Sequence, residues 1–324
     1  MPRARERFLC LVDPRAQSAF FADVEPVSQA ALLALPGVEL AEPERIDSLS
    51  FIRIEGDVIP LPSVLKLPFV QAVFQRDADG RLGYVASASR PQLTEHLETG
   101  DTYRGKTNVM VTKLALALAG RVWAERTGDT AVTSPVVLDP MCGRGTTLLA
   151  AARMDWCASG IEQDQAAMEH LHRHLKRQCK VHRIKHGVSR GWTNRKNSDG
   201  DGKFLEYTFE NATIRLVAGD TRKTHQYVGA NRHDLLVVDL PYGVEFRGSR
   251  GQRSPLATVQ QAIESWSIAL RERGAGCIVF NRLQPSRRDL VAVIQSAGFE
   301  VLDLELRHRM SDAIERDFLI FACK

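Results

Sequence analysis

Asp239-Leu240-Pro241-Tyr242-Gly243 follows the apolar run 235–238, so a tight turn presents a carboxylate and an aromatic ring at the end of a buried strand. This combination suits recognition of an amine carried by a ring. Such an amine is a weak nucleophile because its lone pair is delocalised into the ring. A carboxylate at Asp239 and a carbonyl at or before Pro241 accept its N–H hydrogens and favour a more pyramidal nitrogen, while Tyr242 stacks on the ring. In isolation the five residues also describe a plain strand end with a turn.

A second segment, residues 136–149 (VVLDPMCGRGTTLL), runs from β-branched residues through a glycine turn into an apolar stretch rich in Leu and Ala. It reads as strand, loop and helix. Gly143 and Gly145 let the backbone approach a ligand, and the following helix turns its N–H groups and positive dipole end toward that ligand. Asp139, Cys142 and Thr146 border the same loop. A dinucleotide fingerprint requires a third glycine where this chain has Thr147 or Leu148, which disfavours a nicotinamide cofactor. Residues 158–162 end a second strand at Glu162, about 20 residues past the glycines, where an acid can grip both ribose hydroxyls of an adenosine. A third strand, 213–218, leads to Asp220, placed to meet an adenine amino group.

On these motifs the chain resembles the S-adenosylmethionine-dependent amino-methyltransferases. Within them it resembles the UPF0020-like RNA guanine-N2 methyltransferases that are usually joined to a THUMP domain. The resemblance runs from about Tyr103 to the C-terminus and rests on the segment Asp139 to Thr146, on Glu162, on Asp220 and on the turn Asp239 to Gly243. It implies that Asp139, Cys142, Gly143, Gly145, Thr146, Glu162 and Asp220 hold S-adenosylmethionine, with S-adenosylhomocysteine as product, and that Asp239, Pro241 and Tyr242 hold the target amine. Lys106 and Thr107, just before a predicted helix over 109–124, are implied contacts of the cofactor or its methionine tail. Leu240 in place of the first proline of the commoner Asp-Pro-Pro-Tyr form is similar to the eukaryotic-type and archaeal-type guanine-N2 branch.

Charge is unevenly distributed. The chain carries +4 overall, but residues 1–100 hold 10 Lys/Arg against 14 Asp/Glu, whereas residues 101–324 hold 33 against 25. The basic surface therefore belongs to the later part. Residues 171–196 contain nine Lys/Arg and no acid, with Trp192 at one end, a composition that suits phosphates and an unpaired base. Arg183, Lys185 and Arg190 are its candidate contacts. Arg247, Arg250 and Arg253, on a Gly/Ser-rich stretch after the amine-binding turn, form a second candidate clamp for phosphates beside a flipped nucleotide. A solvated helix face and a polar loop are the alternative reading of these runs.

Cysteines 10, 142, 157, 179, 277 and 323 show no paired spacing and suggest a reducing compartment. His170 and His174 at i and i+4 lack a carboxylate or thiolate at metal-site spacing, so no metal is expected. The N-terminal apolar stretch is interrupted by Asp13 and Pro14, and neither a signal peptide nor a membrane span is expected. A cytoplasmic monomer or homodimer follows from this reading.

The elements that must position these residues form an α/β pattern. Strand and helix alternate from 136 to 300, and two last strands at 301–306 and 317–322 predict an antiparallel hairpin closing a Rossmann-like class I methyltransferase sheet. Residues 7–12 and 51–54 predict strands and 26–35 a helix, giving a small N-terminal α+β domain over 1–100, ahead of a catalytic domain over 101–324. This first part resembles a reduced THUMP-like region, shorter than usual and acidic; a packing domain is the alternative. The function expected is methyl transfer to a nucleobase exocyclic amine, foremost guanine N2 in tRNA. A DNA adenine-N6 or cytosine-N4 methyltransferase and a non-catalytic nucleic-acid-binding scaffold are the alternatives.

Overall fold

The computed structural model describes residues 5–16, 24–89, 91–100, 108–128, 134–193, 201–241, 254–304, 306–311 and 314–324. The chain divides into two compact units, Met1–Arg90 with Leu304–Asp317, and Pro91–Asp303 with Phe318–Lys324.

In the first unit, β1 (Glu6–Val12), α1 (Val24–Leu33), β2 (Leu40–Ile46), β3 (Leu49–Gly56), α2 (Leu61–Lys66), β4 (Val70–Arg76) and β5 (Leu82–Ser87) form a five-stranded antiparallel sheet, order β2-β3-β1-β4-β5, with two helices. Val24, Val27, Ser28, Ala31 and Leu32 of α1 are buried at helical spacing, and Phe51, Ile52 and Ile54 of β3 are buried. The expected strands and helix are present. β2 and β5 escape a reading by propensity because Pro43 and three charges interrupt the first and Gly83 the second. An edge position tolerates both.

The second unit is built from α3 (His96–Thr99), α4 (Val109–Thr127), β6 (Val136–Asp139), α5 (Thr146–Arg153), β7 (Cys157–Glu162), α6 (Gln165–Val181), β8 (Gly187–Trp192), β9 (Lys203–Thr208), β10 (Thr213–Ala218), α7 (Thr224–Val228), β11 (His233–Asp239), α8 (Pro255–Ala269), β12 (Leu270–Asn281), α9 (Arg287–Ser296), β13 (Phe299–Val301) and the later part of β15 (Ile314–Cys323), whose first residues fall with β14 (Arg307–Ser311) in the first unit. The strands order as β13-β15-β12-β11-β6-β7-β10-β9-β8, with β14 paired to β15. β10, β7, β6, β11 and β12 run parallel.

The central strands carry continuous apolar runs, such as 235–238 of β11 and 277–280 of β12, because both faces are covered. Leu236 and Val238 of β11 join Trp266, Phe280 and Phe321 in the core under α8 and α9. Leu235, one residue away in the pleat, comes near Gly120 of α4. α4 is buried at Val111, Leu114, Leu118 and Val122, is capped by the Asn108 side chain on Met110 N, and ends at left-handed Gly128. At the N-terminal ends of the strands, Asp234 accepts from Val136 N at 2.9 Å and from Arg271 at 2.6 Å, fastening β6 to β11.

Two expectations change. The strand predicted over 301–306 is displaced: β13 ends at Val301, and the hairpin partner of β15 is β14. The alternation expected from 136 to 300 is broken by an inserted hairpin, β8 with β9, which widens the sheet beyond β10.

Candidate active site

The parallel strands β6, β7, β10 and β11 bring their C-terminal ends to one edge, and an acid stands on or just after each. Asp139 ends β6 and is 2% exposed. It accepts from Met141 N at 3.1 Å and from the Thr147 side chain. Burial raises its carboxyl to about 7, with the charges of Asp239 and Glu162 adding to the rise and the two hydrogen bonds opposing it. The carboxyl is therefore poised for a cation.

The loop after Asp139 folds onto β7. Cys142 N donates to Ile161 O at 3.1 Å and Gly145 N to Cys142 O at 2.8 Å. Gly160 is required beneath it, since a Cβ there would lie 2.5 Å from Cys142 Sγ. Gly143 and Gly145 have φ of +52° and +84°, where other residues are strained, and a Cβ on Gly143 would meet nothing within 4 Å. The loop is thus open above Gly143. Gly145 is the N-cap of α5 and supplies no side-chain cap, so the first turn, starting at buried Thr146, keeps donor capacity. The Cys142 thiol is pushed well up by burial and by Asp139 and Glu162, which makes it a packing group and not a nucleophile.

Glu162 completes this half. Its two carboxylate oxygens accept from Gly143 N at 2.9 Å and Asp164 N at 2.8 Å, and the backbone of Gln163 adds a further hydrogen bond. Burial raises this carboxyl as well, and the N–H bonds counter it.

Asp220, after β10, differs. Burial raises it, but bonds from the Arg222 guanidinium and from Arg222 N at 2.9 Å prevail, and its carboxyl lies below the usual range. Tyr227, packed against Gly219, accepts from Asp220 N at 3.4 Å and reaches the Asp201 carboxylate at 3.3 Å. Asp239 is half-buried at the end of β11, and pairing continues past it, with Leu240 N donating to Val279 O at 2.8 Å. Pro241 follows, half-buried.

Asp139, Cys142, Gly143, Gly145, Thr146 and Glu162 form one continuous site, with Asp220 and Asp239 on the strands to either side. Lys106, Thr107, Tyr242, Arg247, Arg250 and Arg253 lie outside the described residues. Arg183, Lys185 and Arg190 do not form one patch at this edge. Gly187 pairs with Thr208, which pairs with Thr213, the first residue of β10, so Arg183 and Lys185 stand by the opposite end of the parallel strands. Arg190 lies on β8, closer to the site edge. His174 bonds Leu97 O at 2.8 Å and His170 meets Arg144 at 3.2 Å, so both helical histidines have structural partners. Thr147 and Tyr227 are the polar groups that sequence reasoning missed. The repeated threonine after Gly145 was a signal for the first, and the second, on a short helix, gave none.

A parallel core extended on one edge by an antiparallel pair, a glycine loop after its first strand and acids ending the next two define a Rossmann-like methyltransferase. The chain belongs to the UPF0020 family (RMKL-like, methyltransferase domain), whose model matches residues 124–309. Three solved structures are similar at low identity. A TehB-like SAM-dependent methyltransferase from Corynebacterium glutamicum has 16% identity over 63% of this chain and 88% of its own, with TM-score 0.37. The magnesium protoporphyrin IX methyltransferase from Synechocystis, solved with SAM bound, has 12% identity over 68% and 87%, with TM-score 0.38. An rRNA methylase from Streptococcus thermophilus has 12% identity over 64% and 96%, with TM-score 0.38. No curated protein matches the chain. The protein is an S-adenosylmethionine-dependent methyltransferase. The residues gathered at this edge have chemistry that suits such a cofactor: a buried acid, an open glycine loop and a half-buried carboxylate.

Proposed function

We propose that this enzyme methylates the exocyclic amine of a nucleobase in RNA, with guanine N2 in tRNA as its target. The observation that carries the reading is the placement of Asp239. It ends the strand beside β6, close enough to raise Asp139 by its charge, and the backbone beyond it is locked by the Leu240–Val279 hydrogen bond and by Pro241. A carboxylate at that point accepts the N–H hydrogens of an amine on the open side of the cofactor loop.

In this reading Asp139 takes the methionine ammonium, and the 142–146 loop its carboxylate. Glu162 takes the ribose hydroxyls and Asp220 the adenine amino group, while Lys106 and Thr107 are assigned to the methionine tail. S-adenosylmethionine supplies an electrophilic methyl on a sulfonium. Asp239 orients the amine and keeps its lone pair available, Pro241 fixes the neighbouring carbonyl, and Tyr242 stacks on the base. The amine proton is lost to Asp239 or to water.

RNA is favoured as the substrate by the acid-free basic run of 171–196 and by its half-exposed Trp192. The N-terminal unit, with its excess of acids, is assigned a positioning role and no phosphate contacts. Mass spectrometry of nucleosides from cells with and without the gene tests the reading. Loss of N2-methylguanosine from the tRNA fraction is expected, and loss of a methylated DNA base alone would overturn it.

A further inference from the structure

β8 is the outermost strand of the sheet, and its side chains are oddly disposed for such a position. Val188 pairs with Tyr207, Arg190 with Leu205 and Trp192 with Lys203, so the three share one face with Leu205 and Tyr207. That is the face covered by α6, because Tyr207 bonds His172 Nδ1 at 2.9 Å. Leu205 and Tyr207 are buried, yet Val188 is 47% and Trp192 48% exposed, and the Arg190 side chain is 44% exposed. The strand thus extends beyond the cover of the helix and displays an apolar, cationic and aromatic row. Folding alone rewards neither a half-exposed indole nor an exposed valine on an edge strand.

The cations converge on that row. Arg190 forms an ion pair with Glu169 of α6 at 3.8 Å, and Lys176 stands one helical turn after His172, whose ring bonds Tyr207 on the same face. The hairpin is anchored where the cofactor acids stand. Thr193 N donates to Gly202 O at 2.8 Å, Gly202 N to Ala218 O at 2.7 Å, and Asp201 meets Tyr227, which holds Asp220 N. Trp192 therefore marks the cofactor end of β8, and Arg190 lies about 7 Å further along the strand.

We infer that this face of β8 seats an unpaired RNA segment, with one base stacked on Trp192 and the flanking phosphates held by Arg190 and Lys176. The inference rests on the RNA reading above and adds the surface and the strandedness. A surface indole reaches the face of a base only when that base is unstacked, which excludes an intact duplex. The basic run suits a phosphate backbone, and a segment seated here leads toward the edge where Asp220 and Glu162 stand.

Binding of oligo(U), of its duplex with oligo(A), and of unmodified tRNA transcript tests this, using wild type, Trp192→Ala, Trp192→Phe and the double variant Lys176→Gln/Arg190→Gln. Quenching of tryptophan fluorescence on adding oligo(U) is expected in wild type and is lost in Trp192→Ala, whose affinity falls roughly tenfold while Trp192→Phe retains most of it. The double variant flattens the salt slope by up to about 1.5. Cofactor affinity, read by calorimetry, stays unchanged in all three variants. RNA binding by wild type with affinity and salt slope unaltered in Trp192→Ala and the double variant would overturn this surface and leave the RNA reading standing. Tighter binding of the duplex than of oligo(U) would overturn the strandedness. Failure of wild type to bind any RNA would overturn both readings.

Discussion

At the end of β6, Asp139 is surrounded by a hydroxyl, a backbone N–H and two further carboxylates, and burial lifts it to about 7. After β10, on the other side of β7, Asp220 is clasped by Arg222 and lies below its ordinary range despite its burial. The two acids close the same edge, yet among the described residues no cation pairs with Asp139, whereas Arg222 pairs with Asp220. A ligand that brings an ammonium gains most at Asp139, where the carboxylate is desolvated and waiting. At Asp220 a ligand amino group must displace or share Arg222, so the gain there is smaller. The cofactor's amino-acid end, not its adenine, should dominate the electrostatics of binding.

The largest expected effect lies at the third acid. Asp239→Ala should lower the methyl-transfer rate by about 10² to 10³ or more, with cofactor affinity nearly intact, because Asp239 addresses the amine. Single-turnover assays beside calorimetry separate the two quantities. Wild-type turnover in the variant would remove Asp239 from the chemistry.

Asp139→Asn comes next and carries a sign that can be checked. The raised carboxyl favours the fold while protonated, so wild type without cofactor loses stability as pH rises from about 4 to about 7, by about 4 kcal/mol at most. The asparagine variant is free of that loss, and at pH 8 it should melt higher than wild type while binding cofactor worse. In wild type, cofactor affinity should weaken by up to about tenfold per pH unit below 7, because Asp139 must ionise to receive the ammonium. A flat affinity profile between pH 5.5 and 8, or a lower melting point for the variant at pH 8, would contradict the comparison.

Glu162→Ala should cost about 1 to 3 kcal/mol of cofactor affinity, since two hydroxyls lose a charged acceptor and Gly143 N loses its partner. Titration calorimetry reads this directly. The smallest effect is expected at Arg222→Ala, which frees Asp220 and should tighten cofactor binding by no more than about fivefold. A weakening there would mean that Arg222 itself contacts the ligand.

The grouping of residues in the core of the candidate site was legible because it is local. A glycine turn between a β-branched run and a Leu/Ala stretch has few conformations, and Asp139, Gly143, Gly145 and Glu162 arrive at one place through adjacent parallel strands. The Rossmann-like sheet was legible for the same reason, since continuous apolar runs such as 235–238 mark strands buried on both faces. The β8–β9 hairpin was not. Its strands alternate polar and apolar residues weakly, with Gly187 and Gly191 in β8, and the basic composition drew attention to charge over periodicity. Composition also carries no address: Arg183, Lys185 and Arg190 are close in sequence but distributed along the length of β10 by the return of α6. The clasp of Asp220 by Arg222 two residues on was equally invisible, because it depends on the cap that Asp220 makes to Arg222 N. The shift of the last strand pair reflects β15, whose ten residues pair with both β13 and β14.

The central claim is amine methylation of an RNA base under the control of Asp239. It is tested most directly by incubating unmodified tRNA transcript and S-adenosylmethionine with wild type and with Asp239→Ala, then digesting the RNA and identifying nucleosides by mass spectrometry. N2-methylguanosine with wild type and none with the variant is the result expected. Equal methylation by both proteins, or a methyl group found on a ring nitrogen, a carbon or a ribose oxygen, would contradict it.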